Sequence, residues 1–554
     1  MKKQIFLLLS SCCLILSSCG ESQSSSQVPP STQVQPSTQV QPSTQVPPSS
    51  QAREPDEDDN YRSYYQIFVG AFADSNGDGV GDLKGIEDKL DYISDLGFRG
   101  IWLSPIFQSP SYHKYNTEDY FKVDPSLGTN NDLISLVRKA HEKNIKVILD
   151  LAINHSSRRN AMYKKAKAAY AKLKGEANGN EQNLLNGLSQ DEIEEYSRLY
   201  VFDDKGQNQG EKIFRRVDGH SFYVESTFDS DMPEFNFDSN LAWTYFNSII
   251  DYYMNEVKVD GLRLDAVKYY YLGDGPKNYV ALNKIEKRVK EDNPYGYVVA
   301  ENWSSNGIID AYYKNTNIDS YFYFPGQGAS GFIGAVLKKI GQRSTFLDGE
   351  KSMIEGSYGK IPAPFLSNHD TGRFTRSKVA DAKFLYGCFA SLTGNTFSYY
   401  GDEIGMAEGG NSDPDYRTHI EWGDSYSCKD FSGSRPSTYP MGSVKDQIED
   451  SNSLLNYIKK ANKIRMSNDA IIKGKITNNS DEYSKENLLL SIDKKVDDKE
   501  VRIVYNFDGT KTSTYKTSDG FEKVLDELTI DNTTIENKGD SFEMKPYSIL
   551  FLTK

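Results

Sequence analysis

The sequence predicts an α/β fold: a (β/α)8 TIM barrel with a domain inserted after its third strand and a C-terminal antiparallel β-sandwich domain. Three observations predict it. First, four short runs place carboxylates or histidines at the ends of apolar, β-type segments. They are Asp150-Leu151-Ala152-Ile153-Asn154-His155, Gly261-Leu262-Arg263-Leu264-Asp265-Ala266-Val267-Lys268, Ala300-Glu301-Asn302-Trp303 and Phe365-Leu366-Ser367-Asn368-His369-Asp370. Polar groups collected at strand ends are how such a barrel builds an active site. Second, the span 156–236, between the first two runs, is too long for a βα loop. Third, from about Arg465 onward, alternating segments such as Leu488–Ile492, Val501–Phe507 and Tyr547–Leu552 read as strands between Asn, Asp and Gly turns.

Taken in order, the chain opens with Met1-Lys2-Lys3 and an apolar run from Ile5 to Leu16, too short for a membrane span and suited to a signal peptide. The run ends in Leu16-Ser17-Ser18-Cys19-Gly20, which resembles a bacterial lipobox. Residues 1–19 are expected to be a lipoprotein signal peptide. Cleavage before Cys19 would leave a lipidated N-terminus and a membrane-anchored protein at the cell surface; an ordinary secretory signal is the alternative. Residues 20–60 are rich in Ser, Gln, Pro, Thr and Val and then acidic, with a hexad beginning at Ser31, Ser37 and Ser43. Three copies with no aliphatic core cannot stack, so a disordered, partly polyproline stalk is expected. Cys12, Cys13 and Cys19 fall in the leader; only Cys388 and Cys428 remain, so the fold does not depend on a disulfide framework.

The remaining roughly 495 residues suggest two or three domains. Barrel strands are predicted near Tyr65–Phe72, Gly100–Ser104, Val147–Ala152, Gly261–Ala266, Gly296–Glu301, Ser320–Phe324, Ala363–Ser367 and Thr396–Tyr400. They give a barrel over 61–155 and 237–460. In the insertion, 156–236, the Lys/Ala-rich stretch from Asn160 to Gly175 is expected to be helical, as is Asp191 to Tyr200. The all-β domain takes 461–554.

In the second run, strand alternation points Arg263 and Asp265 the same way. A guanidinium beside a carboxylate keeps it ionised at neutral pH, as a nucleophilic aspartate requires; alone, the pattern is also that of a structural ion pair. The four runs together resemble the four signature regions of the α-amylase family of glycoside hydrolases, in order, and the similarity extends from about Tyr64 to the C-terminus. The resemblance implies that Asp265 is the nucleophile of a covalent glycosyl-enzyme. Glu301 would be the general acid and then the base, and Asp370 a third carboxylate that binds the 2- and 3-hydroxyls. It also implies substrate-binding roles for Arg263, Asn368 and the pair His155 and His369, drawn from only six histidines in the chain. Lys268 would face the leaving-group side, and Tyr115 would stack on the reacting glucose.

Some positions depart from the family pattern. Lys114 and Asn116 stand where Gly and Asp are more usual, and Tyr269 replaces a histidine found in many α-amylases. The insertion resembles the family's domain B, a wall of the substrate cleft. Its end, Met232-Pro233-Glu234-Phe235-Asn236, resembles a fifth motif whose Met-Pro variants accompany neopullulanase-like and intermediate α-amylases. Ala266 leans toward α-1,4 bonds.

The run Asp74-Ser75-Asn76-Gly77-Asp78-Gly79-Val80-Gly81-Asp82 has EF-hand ligand spacing through its ninth position. Its twelfth position is Gly85 rather than a bidentate Glu, and a strand precedes it. It resembles instead the Ca2+ loop after the first barrel strand of oligo-1,6-glucosidase-like enzymes. The resemblance implies a structural Ca2+ held by Asp74, Asn76, Asp78, Asp82 and the Val80 carbonyl; a calcium-free Asx-turn loop is the alternative.

With 64 basic against 78 acidic residues the net charge is −14, which argues against nucleic acid or anionic lipid as a partner. The expected function is a monomeric, retaining, endo-acting α-amylase on α-1,4-linked glucans. Neopullulanase, cyclomaltodextrinase or 4-α-glucanotransferase activity is the enzymatic alternative, and an inactive glucan-binding lipoprotein the non-enzymatic one.

Overall fold

Seven parallel strands run side by side in one curled sheet, in the order Ser320–Tyr321, Tyr297–Ala300, Gly261–Leu264, Lys146–Leu151, Gly100–Leu103, Ser63–Ile67, Thr396–Tyr399. Parallel bridges from Phe322 to Ala363 and from Phe365 to Phe397 join the two edges through an eighth segment, closing the ring. All eight predicted strand positions are therefore found, the seventh as two isolated bridges. The computed structural model describes residues 60–554 except 329, 338–341, 375–377 and 484–487, so the signal peptide, Cys19 and the stalk up to residue 59 lie outside the described residues.

The strands are apolar on both sides because helices cover the outside and side chains fill the inside. Inside, Tyr64 stacks on Phe397 at 4.7 Å and on Tyr297 at 5.4 Å, and Trp102, Ile148, Val299, Phe322 and Phe365 complete an interior cluster. The first strand stops at Ile67, earlier than predicted, and Val69–Ala71 forms a 3-10 turn. Gly81 donates to the Gly70 carbonyl at 2.9 Å, so the chain folds back on itself here. Only glycine fits at 81, since a Cβ there would lie 2.2 Å from the Val69 oxygen.

The span 156–236 holds helices Ala161–Leu173, Gly179–Leu184 and Gln190–Ser197 and a three-stranded antiparallel sheet of Phe202–Asp203, Tyr223–Glu225 and Phe214–Arg216. The first and third of these helices match predicted stretches; Gly179–Leu184 and the sheet were not predicted. Asn160 caps the first helix and the Ser189/Glu192 capping box starts the third. The insertion returns to the barrel where Phe235 N–H donates to the Asn154 carbonyl (3.0 Å) and Ser156 N–H to that of Pro233 (3.1 Å).

At the C-terminus a five-stranded antiparallel sheet, in the order Lys475–Tyr483, Leu488–Val496, Lys499–Asn506, Ile549–Thr553, Lys523–Leu528, is joined by a three-stranded one. Alternation divides its side chains. Leu489, Val504, Leu550 and Leu552 pack with Tyr515, Phe542 and Met544 of the smaller sheet. Leu490, Ile492, Ile503 and Phe551 pack with Phe384, Phe389 and Ile458 of helices Val379–Ala390 and Leu454–Met466. Among the described residues no helix is long and apolar enough to cross a membrane.

Candidate active site

The strand register sets the first pair of the site. Asp150 lies opposite Arg263 in adjacent parallel strands, so both side chains leave the same face. The Arg263 guanidinium is fully buried and binds three carboxylates. Its NH1 donates to Asp150 Oδ1 (2.8 Å) and Oδ2 (3.0 Å) and to Asp265 Oδ1 (2.6 Å), and NH2 lies 3.2 Å from Glu301 Oε1. Asp150 also accepts from Trp102 Nε1 at 3.2 Å and Tyr115 Oη at 3.0 Å. Arg263 is at 0% exposure and orders the three carboxylates around it, while its Nε has no hydrogen-bond partner among the described residues.

Glu301 follows the strand Tyr297–Ala300, and its Oε2 accepts the Ala266 N–H at 3.1 Å. Ala266 holds φ at 50°, in the left-handed region, so the chain leaves the strand direction at the residue that donates to Glu301. Burial pushes Glu301 up to about 8; Asp265 and Asp370 add to the rise and Arg263 opposes it. At neutral pH Glu301 therefore carries a proton it can donate. Burial likewise pushes Asp150 up to about 7 against the pull of Arg263.

A second group surrounds Asp370. His369 Nδ1 is 2.7 Å from Gln66 Nε2, its Nε2 is 2.5 Å from Tyr115 Oη, and its ring lies parallel to Tyr115 at 5.6 Å. Burial lowers His369 to about 3, so the ring is neutral. Asp370 Oδ1 accepts from Arg417 NH2 at 2.7 Å, and Arg417 also donates to the His369 carbonyl (3.0 Å) and to Tyr112 Oη (3.1 Å). Burial alone would raise Asp370; His369, Arg417 and Arg263 together outweigh it and hold the carboxyl below its ordinary value.

The other predicted residues take distinct places. Asn368 Oδ1 accepts from Asp370 N–H and Thr371 Oγ1, both at 3.0 Å, so that oxygen shapes the turn presenting Asp370. His155 is 2% exposed and its Nε2 has no hydrogen-bond partner among the described residues, leaving a buried polar atom for a ligand hydroxyl. Lys268 Nζ donates to the Trp303 carbonyl at 3.1 Å. Lys114 adopts φ 63° and pairs with Asp124 at 3.0 Å, while Asn116 Nδ2 donates to Asp231 of the insertion at 2.8 Å.

Comparison with known proteins gives this geometry its context. The family model described as alpha amylase, catalytic domain, matches residues 66–474, ending one residue before the first strand of the C-terminal sheet. The chain belongs to the α-amylase family. It is a glycoside hydrolase of that family, 32% identical over 452 residues to Alpha-amylase 3 of Dictyoglomus thermophilum, covering 80% of this chain and 84% of the relative. The solved structure of Eubacterium rectale Amy13B superposes with a TM-score of 0.80 at 29% identity, covering 89% of this chain and 95% of that one. The chain is also similar to a 4-alpha-glucanotransferase of Thermotoga maritima, 26% identical over 62% of this chain and 71% of that protein.

Asp150, Arg417 and Gln66 carry this α-amylase-family site without having been assigned a role from sequence. Asp150 had a signal, since aligning its strand with Gly261–Leu264 puts it opposite Arg263. Arg417 and Gln66 reach Asp370 and His369 from 47 and 303 residues away; Arg417 ends the run Asp413-Pro414-Asp415-Tyr416-Arg417, which resembles the family, whereas no local pattern marks Gln66.

The Asp74–Asp82 loop is closed by its own amides. Asp74 accepts from the N–H groups of Asn76, Gly77 and Gly79, Asp78 from Val80, and Asp82 from Ser75 and Gly85. Gly77 and Gly79 have φ of 82° and 99°, which the tight turns require. Among the described residues no group of three or more His, Cys, Asp or Glu side chains is gathered to hold a metal ion. The donor set itself, three carboxylates, an amide and a carbonyl, is hard oxygen and suits Ca2+. Burial, and then Asp74, Asp82 and Asp78, push the Cys428 thiol far above its usual range, which marks negative charge converging on one side of the loop.

Proposed function

We propose that the protein is a retaining, endo-acting α-amylase that hydrolyses α-1,4-glucosidic bonds of starch-like polysaccharides and maltooligosaccharides. The observation that carries this reading is one guanidinium, Arg263, contacting both Asp265 and Glu301, while burial keeps Glu301 protonated. Double displacement needs that division: one carboxylate ionised to attack, its neighbour protonated to release the leaving group.

In the first step an Asp265 oxygen bonds to the anomeric carbon as the glycosidic C–O bond breaks, and Glu301 gives its proton to the departing oxygen. Glu301, now ionised, takes a proton from water, whose oxygen displaces Asp265 and restores both groups. Asp370, held ionised by Arg417, faces the positive charge that develops on the sugar ring. Tyr115 would lie against that ring, neutral His155 would bond a hydroxyl through its unpartnered Nε2, and His369, bonded to Gln66 and Tyr115, would hold Tyr115 in place. The Asp74–Asp82 loop would hold Ca2+ through Asp74, Asn76, Asp78, Asp82 and the Val80 carbonyl, with a structural role only. The leader would place the enzyme, as a monomer, at the cell surface through lipid on Cys19.

Relatives named 4-alpha-glucanotransferase and cyclomaltodextrinase support transfer or ring-opening activity as a second reading. The deciding experiment is the time course of products from amylose and pullulan, run beside Asp265→Asn. Mixed maltooligosaccharides from amylose, intact pullulan and an inert variant support the proposal. Panose from pullulan would assign the neopullulanase type, and longer chains built from maltotriose would assign the transferase.

A further inference from the structure

The turn that carries His369 and Asp370 is fastened on both sides by one carboxylate. Asp402 opens the 3-10 turn Asp402–Ile404, just past strand Thr396–Tyr399, and is buried. Its Oδ2 accepts from the hydroxyl of Ser367, two residues before His369. Its Oδ1 accepts from Arg373 NH1, three residues past Asp370, at 3.2 Å. Gly401, at φ 83°, makes the bend that brings Asp402 off the strand and toward this turn.

Both tethers are buried as well. Arg373 NH1 donates also to the Tyr400 carbonyl, and its guanidinium lies 4.3 Å from the centre of the Tyr399 ring. Its Nε and NH2 have no hydrogen-bond partner among the described residues, so the side chain is oriented through NH1. Burial pushes Asp402 up to about 7 against the pull of Arg373. Either protonation state keeps both bonds, because the Ser367 hydroxyl donates to a carboxylate and accepts from a carboxylic acid. Asp402 therefore supplies position more than charge. Arg417 holds the side chain of Asp370, and Asp402 holds the chain before and after it.

We propose that Asp402 is a positioning residue for the reaction: by holding Ser367 and Arg373 it sets where the Asp370 carboxylate stands against the sugar, and it acts on the rate through Asp370. The inference rests on the role given to Asp370 above. A group that stabilises developing charge does so only from a fixed place, and small displacements of it cost rate more than binding. Asp402 belongs to the turn after the eighth strand and Asp370 to the turn after the seventh, so the tie also couples two neighbouring loops at the strand ends.

The test is a double-mutant cycle on α-maltotriosyl fluoride, whose leaving group needs no proton and which keeps weakened variants measurable. Asp402→Ala should lower kcat/KM by about a hundredfold in the wild-type background, mostly through kcat. In an Asp370→Asn background the same change should cost about twofold or less, since the group it positions is already disabled. Asp402→Asn should keep most of the activity, because its Oδ1 can accept from Arg373 while its Nδ2 donates to the Ser367 oxygen. Ser367→Ala cuts one tether and should show the same pattern at about tenfold; it carries the test if melting temperatures show that Asp402→Ala is unfolded. No loss from either alanine variant, similar losses in both backgrounds, or equal losses for Asp402→Asn and Asp402→Ala would overturn the proposal while leaving the hydrolase reading intact. A wild type inactive on the fluoride and on amylose alike would overturn that reading and the proposal together.

Discussion

Asp150 accepts two hydrogen bonds from a single nitrogen of Arg263, at 2.8 and 3.0 Å, and the same nitrogen reaches Asp265 at 2.6 Å. Asp150 thus fixes the guanidinium that fixes Asp265, the proposed nucleophile, although nothing places Asp150 itself against substrate. Asp150→Asn keeps the shape and removes the charge, freeing Arg263 to turn toward Asp265 and Glu301. We expect kcat on maltopentaose to fall by about a hundredfold, ~2.7 kcal/mol of barrier, with KM changed far less. A KM effect as large as the kcat effect would show that Asp150 binds sugar directly.

Glu301 gives a pH prediction with two readouts. Its raised value means the protonated acid persists to about pH 8, so kcat/KM should decline as pH rises through that value. The folded state binds this proton more tightly than the unfolded chain does, so Glu301 makes the protein progressively less stable as pH climbs from its ordinary value of 4.5 to about 8. Glu301→Gln should therefore melt higher than wild type at pH 8.5, and the gap should close near pH 4. A constant gap across that range would assign the effect to packing instead.

Calcium at the Asp74 loop is checked by heat rather than by activity. A bound ion at a hundred times its Kd stabilises by ~2.7 kcal/mol, so chelation should lower the melting temperature of wild type by several degrees and added Ca2+ should restore it. Asp78 is exposed and bonds only within the loop, so Asp78→Ala should fold normally and lose that response. Chelator-insensitive melting of wild type would refute the site.

The C-terminal sheet is joined to the barrel side by a buried ion pair. Lys494 and Glu350 are both at 0% exposure and bonded to each other, and Lys494 also donates to the Ser391 carbonyl at 2.6 Å. Lys494→Met leaves a buried carboxylate without its cation, at a cost of about 3–5 kcal/mol. Adding Glu350→Leu should recover much of that in urea unfolding. Failure of the double variant to recover would show that the pair specifies the docking geometry.

Much of this was legible in the chain because a parallel barrel repeats one local pattern, an apolar strand followed by a polar end. Gly261–Leu264 and Tyr297–Ala300 could be read directly, as could the acids that follow them. The turn at Val69–Ala71 could not, since it depends on Gly81 approaching the Val69 oxygen from ten or more residues away. The small sheet of the insertion escaped for a similar reason: strands of two or three residues are too short to show a period. The full burial of Arg263 depends on depth within the barrel, which strand alternation does not encode.

Because Arg263 touches Asp150, Asp265 and Glu301 at once, the centre answers to perturbation as one electrostatic unit. A substitution that moves Asp265 also disturbs Glu301 through their shared guanidinium. Routes to new specificity are correspondingly narrow among the residues in contact with Arg263 and wider among those that do not touch it. A family built this way can diversify its substrates while its chemistry stands still.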